Sequence, residues 1–358
     1  MRSGRQHPKE IVIISGENIK PTIRYYLSVH PGEDGSPLSP ALPGQFVVLR
    51  MRPNPDAPPL LRNYSLSDVP SADHYRVSVK HEVNGEASTY LHTRVRRSDV
   101  LDVSAPMGSF TLRPGEGPVV LVSAGVGATP VLAMLHALVA GSSARQVWWL
   151  YGARSRDDHP FFQEARDLLR RLQQSHSYVR YSRPGPQDRL GVDFDAPGHL
   201  DAAAIEQLGV PRDADFYLCG PPNFLRDLTA GLSTWGVRAD RVHTEVFGPS
   251  EAITPGITAA APRPSHQPSG PAGAGPRVSF ARSGLAVAWD AKYQSLLELA
   301  EACDVPVRWS CRTGVCHTCE SGLISGTVSY RPEPLEPPAN GKILICCCQP
   351  EEEVVVDI

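Results

Sequence analysis

The chain has 358 residues, 41% hydrophobic and 20% charged, with a formal net charge of −3. That length allows two or three domains, and the composition is ordinary for a globular protein. The slightly acidic balance argues against a nucleic-acid partner and against attraction to an anionic membrane. No apolar run nears the roughly 20 residues of a membrane span.

The first ten residues are polar and lack the apolar core of a secretory signal. Seven of the eight cysteines follow residue 300. That asymmetry fits a metal cluster in a reducing cytoplasm better than a disulfide scaffold, so a cytoplasmic location is expected.

Residues 10–114 read as all-β. Ile11-Val12-Ile13-Ile14 and Phe46-Val47-Val48-Leu49 are short apolar strands, and residues 75–80 alternate with period two. Turn signals at Pro43-Gly44 and Asn84-Gly85 punctuate them. The spacing predicts a small antiparallel barrel, interrupted by one helix over about 87–95.

The rhythm changes over 115–248. A buried strand at 119–122 runs into the turn Ala124-Gly125-Val126-Gly127-Ala128 and then a helix, with Thr129 as N-cap and Pro130 at its first position. Strands at 147–151, 178–181, 215–219 and near 242 alternate with helices at about 160–173, 202–208 and 222–235. Such alternation predicts a parallel sheet with both faces covered. Residues 249–276 are rich in Pro, Ala, Gly and Ser and cannot bury a core, which predicts a flexible linker.

Residues 277–358 form a third unit. A hairpin is expected over 278–289, a capping box at Ser295-Leu296-Leu297-Glu298 opening a helix to Ala302, and strands near 322–330, 343–346 and 354–358. The run 331–338 is too proline-rich for a strand. Cys311, Cys316 and Cys319 stand at C-x4-C-x2-C spacing, with Cys346, Cys347 and Cys348 downstream. This is the plant-type ligand pattern of a [2Fe–2S] cluster. Zinc usually takes two separated C-x2-C pairs, and the thiols are too clustered for unrelated core residues. Gly314 lets the backbone wrap closely round the sulfides. His317 reads as a loop residue and Cys303 as core.

Upstream, Arg62-Asn63-Tyr64-Ser65-Leu66-Ser67 places Arg62, Tyr64 and Leu66 on one strand face and Asn63, Ser65 and Ser67 on the other. An aromatic, a hydroxyl and an Arg suit a flat ring carrying phosphate. Cys219 ends a parallel strand, at the edge where ligands bind in such sheets. Arg154, Ser155 and Arg156 follow the second strand of that sheet, where a 2′-phosphate would lie, but Asp157 and Asp158 would repel one.

These segments, with Pro43-Gly44-Gln45-Phe46, Gly85-Glu86-Ala87-Ser88, Gly125-Val126-Gly127-Ala128-Thr129-Pro130, Cys219-Gly220-Pro221-Pro222 and Glu245-Val246-Phe247-Gly248, resemble the ferredoxin–NADP reductase superfamily in motif and order. The domain order resembles phthalate dioxygenase reductase and its relatives. The barrel wording is closer to the reductase part of flavohaemoglobins. The resemblance implies a flavin barrel, a nicotinamide domain and an α+β, β-grasp ferredoxin domain. It implies that Arg62, Asn63, Tyr64 and Ser65 hold the flavin, with Lys80, Glu82, Gly85 and Ser88 on its phosphate side and Phe247 over its ring. Gly125, Gly127, Thr129, Pro130, Cys219, Gly220 and Pro221 would bind the nicotinamide cofactor, and Ser65, Cys219 and Glu245 would serve hydride transfer. Resemblance to the ferredoxin pattern G-x-V-L-x-C-x3-P, with strand alternation beside it, favours Cys346 as fourth ligand after Cys311, Cys316 and Cys319.

The expected function is transfer of electrons from NADH (or NADPH) through FAD (or FMN) and a [2Fe–2S] cluster to a protein acceptor, an oxygenase component of Rieske or P450 type. A flavin takes up a hydride and gives electrons to a one-electron cluster, which explains three modules on one chain. Two alternatives stay open: a redox sensor whose cluster reports oxidant, and a diaphorase reducing small acceptors.

Overall fold

The computed structural model describes residues 9–19, 22–29, 38–54, 60–69, 74–82, 85–108, 110–246, 264–268, 270–307, 309, 314, 317, 319–331, 333–334 and 337–358. Contacts divide the chain into two units, Met1–Gly248 and Pro249–Ile358.

The first unit begins with β1 (Lys9–Ile19), β2 (Thr22–Val29), β3 (Phe46–Met51), β4 (Leu60–Ser65), β5 (Tyr75–Lys80), α1 (Glu86–Thr93) and β6 (Val100–Val103). The strands form one antiparallel sheet in the order β4-β3-β6-β1-β2-β5. Its two edges meet. Leu66 bridges Val77, and Ser67 N–H donates to the Arg76 carbonyl at 2.9 Å. That seam rolls the sheet into the expected barrel, with Val47, Leu49, Val77, Val79, Leu91 and Val103 in its core. Gly44 adopts φ +102°, and a Cβ there would lie 2.2 Å from the Phe110 carbonyl and 2.5 Å from Met134 Cε. Only glycine fits that turn against the next layer.

There follow β7 (Val119–Ala124), α2 (Ala128–Ala140), β8 (Val147–Ala153), α3 (Phe162–Leu169), β9 (Ser175–Tyr181), β10 (Ala196–Pro197), α4 (Ala202–Gln207), β11 (Asp215–Gly220), α5 (Pro222–Trp235) and β12 (Val242–Val246). The sheet is parallel throughout, in the order β10-β9-β8-β7-β11-β12. Alternation sends Val119 and Leu121 to a core under α2 and α3, and Val120 and Val122 to one under α4 and α5. With both faces covered, the strands read as unbroken apolar runs. Burying each such side chain is worth about 1.5–3 kcal/mol.

Two expectations change here. Thr129 does not cap α2: the helix starts at Ala128 after a tight turn at Gly125–Gly127, and the Thr129 hydroxyl donates to the Val126 carbonyl at 3.1 Å. The third helix is shorter than 160–173, because Phe161 is buried with φ +62° and delays its start.

The second unit holds β13 (Arg277–Phe280), β14 (Leu285–Ala288), α6 (Leu296–Ala302), β15 (Glu320–Ser325), β16 (Val328–Tyr330), β17 (Lys342–Leu344), β18 (Cys348–Pro350) and β19 (Val354–Val356). Five strands run in the order β14-β13-β19-β15-β17, and β16 pairs with β18. The Ser295 half of the capping box forms, with Ser295 Oγ accepting from Glu298 N–H at 3.4 Å, while Glu298 Oε2 reaches one residue further back and accepts from Gln294 N–H at 2.7 Å. Cys303 is core, as expected.

Of the expected linker 249–276, residues 249–263 lie outside the described residues. Among the described residues, 264–268 and 270–276 contain no regular element but are attached to the second unit. His266 N–H donates to the Cys303 carbonyl at 3.0 Å, and Gly275 N–H to the Trp289 carbonyl at 2.8 Å. A Cβ on Gly273 would lie 2.2 Å from Trp289 O. Gly273 and Gly275, two of the glycines that suggested flexibility, pack closely against Trp289 instead. The strand expected over 343–346 stops at Leu344, and residues 345–347 turn. Among the described residues, no helix is long and apolar enough to cross a membrane.

Candidate functional site

On the barrel, β4 pairs with β3 so that Ser65 lies opposite Phe46, Tyr64 opposite Val47, Asn63 opposite Val48 and Arg62 opposite Leu49. Arg62 is exposed, Asn63 and Tyr64 are half-buried, and Ser65 is 4% exposed. Ser65 Oγ is covered and has no hydrogen-bond partner among the described residues. A buried hydroxyl left so costs about 1–3 kcal/mol. A polar atom at the edge of a bound ring fits it.

Four more expected residues come together in one corner. Lys80 Nζ is 2.8 Å from Glu82 Oε1. Ser88 Oγ accepts from Glu82 N–H at 3.1 Å and donates to the Gly85 carbonyl at 3.0 Å. Gly85 precedes α1 and no side chain caps the helix. Its first amides face outward from a helix N-terminus, a setting that suits a phosphate. The exposed Lys80–Glu82 pair adds little stability by itself.

In the parallel sheet, strand order reverses between β7 and β11, and ligands of such sheets sit beyond the strand ends at that point. The Gly125–Gly127 turn leaves β7 there. A Cβ on Gly127 would lie 2.5 Å from the Cys219 carbonyl, so the turn and the end of β11 touch through backbone. Gly220 also lies close, with a virtual Cβ 3.3 Å from Ala124 N. The Tyr151 hydroxyl donates to the Gly125 carbonyl at 3.0 Å and fixes the turn from β8. Thr129 and Pro130 are buried in the first turn of α2, and Pro221 precedes α5.

Cys219 is fully buried and pairs in register with Glu245. Burial raises the Cys219 thiol well above its usual range, and the Glu245 carboxyl adds to this. Glu245 is half-buried as a residue, but its Oε2 is covered and has no hydrogen-bond partner among the described residues. Burial pushes it up to about 8. Both groups are therefore neutral at pH 7. Phe247 lies outside the described residues.

Beyond β8, Arg154 Nη2 binds Asp158 Oδ1 at 2.6 Å, and Arg156 lies 4.0 Å over the Phe162 ring with its Nε 4.0 Å from Asp193. Each of these arginines already faces a carboxylate, Arg154 that of Asp158 and Arg156 that of Asp193.

In the second unit, Cys319, Cys346, Cys347 and Cys348 are buried and unbridged. Cys311 and Cys316 lie outside the described residues. Gly314 has φ +72°, and a Cβ on it would lie 2.6 Å from Cys347 Sγ. Cys347 therefore faces the cysteine loop rather than away from it, because the turn at 345–347 breaks the alternation on which the sequence reading relied. A hydrogen bond to Cys346, with burial, pushes the Cys347 thiol well up, and burial does the same to Cys348. Clustered unbridged thiols beside a glycine in a left-handed conformation fit an iron–sulfur centre. His317 is half-buried, with φ +56°.

Sequence reasoning missed Tyr151, whose role depends on a hydroxyl reaching across two strands. It also missed why Gly127 must be glycine, since the obstructing Cys219 carbonyl is remote in sequence.

Comparison with known proteins bears on these sites. Residues 121–229 match the oxidoreductase NAD-binding domain family, and residues 281–351 match the 2Fe-2S iron-sulfur cluster binding domain family. The solved flavohem-like FAD/NAD-binding domain of nitric oxide dioxygenase from Vibrio cholerae is 32% identical, with a TM-score of 0.61. It aligns with 68% of this chain and 100% of its own. The chain belongs to the ferredoxin–NADP reductase superfamily.

Within that family, the flavohemoprotein of Deinococcus radiodurans is 40% identical over 223 residues, 62% of this chain and 55% of its own length. The chain thus spans about half the length of the curated relatives it matches. Phthalate dioxygenase reductase shares the fold over nearly everything, 98% of this chain and 97% of its own, at 23% identity and a TM-score of 0.55. In this chain the family's NAD(P)H-dependent oxidoreductase architecture is joined to a [2Fe–2S] ferredoxin domain.

Proposed function

We propose that the chain is an electron-transfer reductase that takes electrons from NADH and passes them through FAD and a [2Fe–2S] cluster to an oxygenase. The observation that carries this reading is the joining of an NAD-binding domain and a 2Fe-2S domain on one chain. We assign 10–114 to the flavin barrel, 115–248 to the nicotinamide domain and 277–358 to the ferredoxin domain. Like modules in phthalate dioxygenase reductase and in a self-sufficient cytochrome P450 monooxygenase support an oxygenase as acceptor.

FAD when bound accepts a hydride and releases electrons singly. The chain's own residues have narrower tasks. Ser65 would bind the flavin through its buried hydroxyl, and Arg62 and Tyr64, the neighbouring residues of β4, would help to hold it. Gly85 and Ser88 shape the phosphate corner. Gly125 leaves room for the nicotinamide cofactor's phosphates to approach the backbone at the start of α2, and Gly127 lets that turn sit against the end of β11. Cys219 and Glu245, both neutral, would line the nicotinamide side of the site at the end of the parallel sheet. Cys311, Cys316, Cys319 and Cys346 are the cluster ligands, and the acceptor docks near that loop.

Anaerobic stopped-flow mixing with NADH tests the reading. Flavin absorbance should bleach first and cluster absorbance second. A cluster that stays oxidised beside a reduced flavin refutes it.

A further inference from the structure

Arg76 is an arginine on β5, 4% exposed, at the seam that closes the barrel. Its guanidinium reaches both ways. Toward the barrel, Nε lies 3.2 Å from Ser67 Oγ, Nη2 donates to the Ser67 carbonyl, and Nη1 is 3.6 Å from Asp68 Oδ2. Toward the parallel sheet, Nη2 donates to Glu164 Oε1 on α3 at 2.7 Å and lies 3.4 Å from His136 Nε2 on α2. His136 closes the circuit, 2.7 Å from Glu164 Oε1 and 3.5 Å from Asp68 Oδ1. In α2, His136 is the one ionisable residue in an otherwise mostly apolar helix.

The elements joined are those that carry the two halves of the site. Ser67 follows Ser65 by two residues. The helix bearing His136 starts at the turn whose Gly127 touches Cys219. Nearby, the Leu112 N–H donates to the Pro43 carbonyl at 3.0 Å, and Gly44 lies against Met134. Apolar contact at an interface tolerates sliding, whereas a directional network of ion pairs and hydrogen bonds around a buried guanidinium does not. Removing Arg76 takes away the cation that bridges the half-buried Asp68 and Glu164 carboxylates. Domain interfaces within a chain move by default unless something of this kind prevents it.

We propose that Arg76 is a positioning residue, and that the Arg76–Glu164–His136–Asp68 ring sets the angle between barrel and parallel sheet, and so the approach of nicotinamide to flavin. This rests on the electron-transfer reading above. Hydride transfer depends steeply on the reacting distance, so the ring acts on the rate of the step and not on cofactor affinity.

The test uses the full-length, flavin-loaded protein and NADH in anaerobic stopped-flow. Arg76→Gln should lower the limiting rate of flavin reduction about tenfold or more, with half-saturating NADH changed less than about twofold. It should weaken the long-wavelength absorbance of the flavin–nicotinamide complex and alter the deuterium isotope effect of labelled NADH. Arg76→Lys should recover much of the rate. Arg76→Gln/Glu164→Gln should be no slower than Arg76→Gln, because the two act as one unit. Should Arg76→Gln fail to fold, Glu164→Gln and His136→Asn carry the same expectation. Limiting rates and isotope effects unchanged in the folded variants overturn the proposal. So does a rate loss that appears only as weaker NADH binding. A wild-type flavin that NADH does not reduce refutes the functional reading instead, and the positioning role with it.

Discussion

Cys219 and Glu245 lie opposite one another in register on β11 and β12, where the parallel sheet ends, and burial holds both in their protonated forms. Neighbouring acids that share a covered site cannot ionise freely. The pair therefore behaves as a neutral wall until the solution becomes alkaline.

For Glu245 the consequence is a pH signature. Its ordinary pKa is 4.5 and its folded value about 8. Between those values the folded protein holds a proton that the unfolded chain has released, so stability falls as pH rises through that window. Denaturant melts of the wild type should show this slope, and Glu245→Gln should flatten it. An identical slope in both proteins would mean the carboxyl is ionised in the fold.

Ser65→Ala should keep flavin but slow its reduction on the order of tenfold, about 1.4 kcal/mol. The reason is the covered Oγ, which has no hydrogen-bond partner among the described residues. Flavin content and the limiting rate with NADH measure it. Unchanged reduction would assign the hydroxyl to structure alone.

Asp158 sits on Arg154 at 2.6 Å. Freeing that arginine should favour a 2′-phosphate through charge alone. Asp158→Asn is expected to raise kcat/KM for NADPH several-fold while leaving NADH little altered. No gain with NADPH would place the 2′-position elsewhere.

Three adjacent thiols leave the fourth cluster ligand to be decided by spectroscopy. Cys346→Ser, prepared anaerobically, should lose the cluster's share of the visible absorbance and its iron, leaving the flavin bands. Cys347→Ser and Cys348→Ser should retain both. Full iron in Cys346→Ser with loss in either neighbour would reassign the ligand.

Legibility followed physics. Residues 119–122 disclosed a doubly covered strand because four successive apolar side chains leave no face for water. Ser295 and Glu298 announced α6 because a capping box is local. The cysteine spacing disclosed the cluster for the same reason. Features made by distant partners were hidden. Nothing near Gly273 says that Trp289 will press against it, so a packed segment read as linker. The turn at 345–347 put Cys347 against Gly314, which strand alternation could not foresee. Arg76 looked like any arginine on a half-buried strand until α2 and α3 supplied its partners.

In the second unit, β19 lies at the centre of its sheet, between β13 and β15, although it comes last in sequence of the five. On the ribosome, β13, β14, α6 and the cysteine loop all emerge before the strand that unites them. The edge of β13 stays unpaired until Val354–Val356 are made. The ferredoxin sheet is therefore completed only when its last-made strand takes its place between two earlier ones.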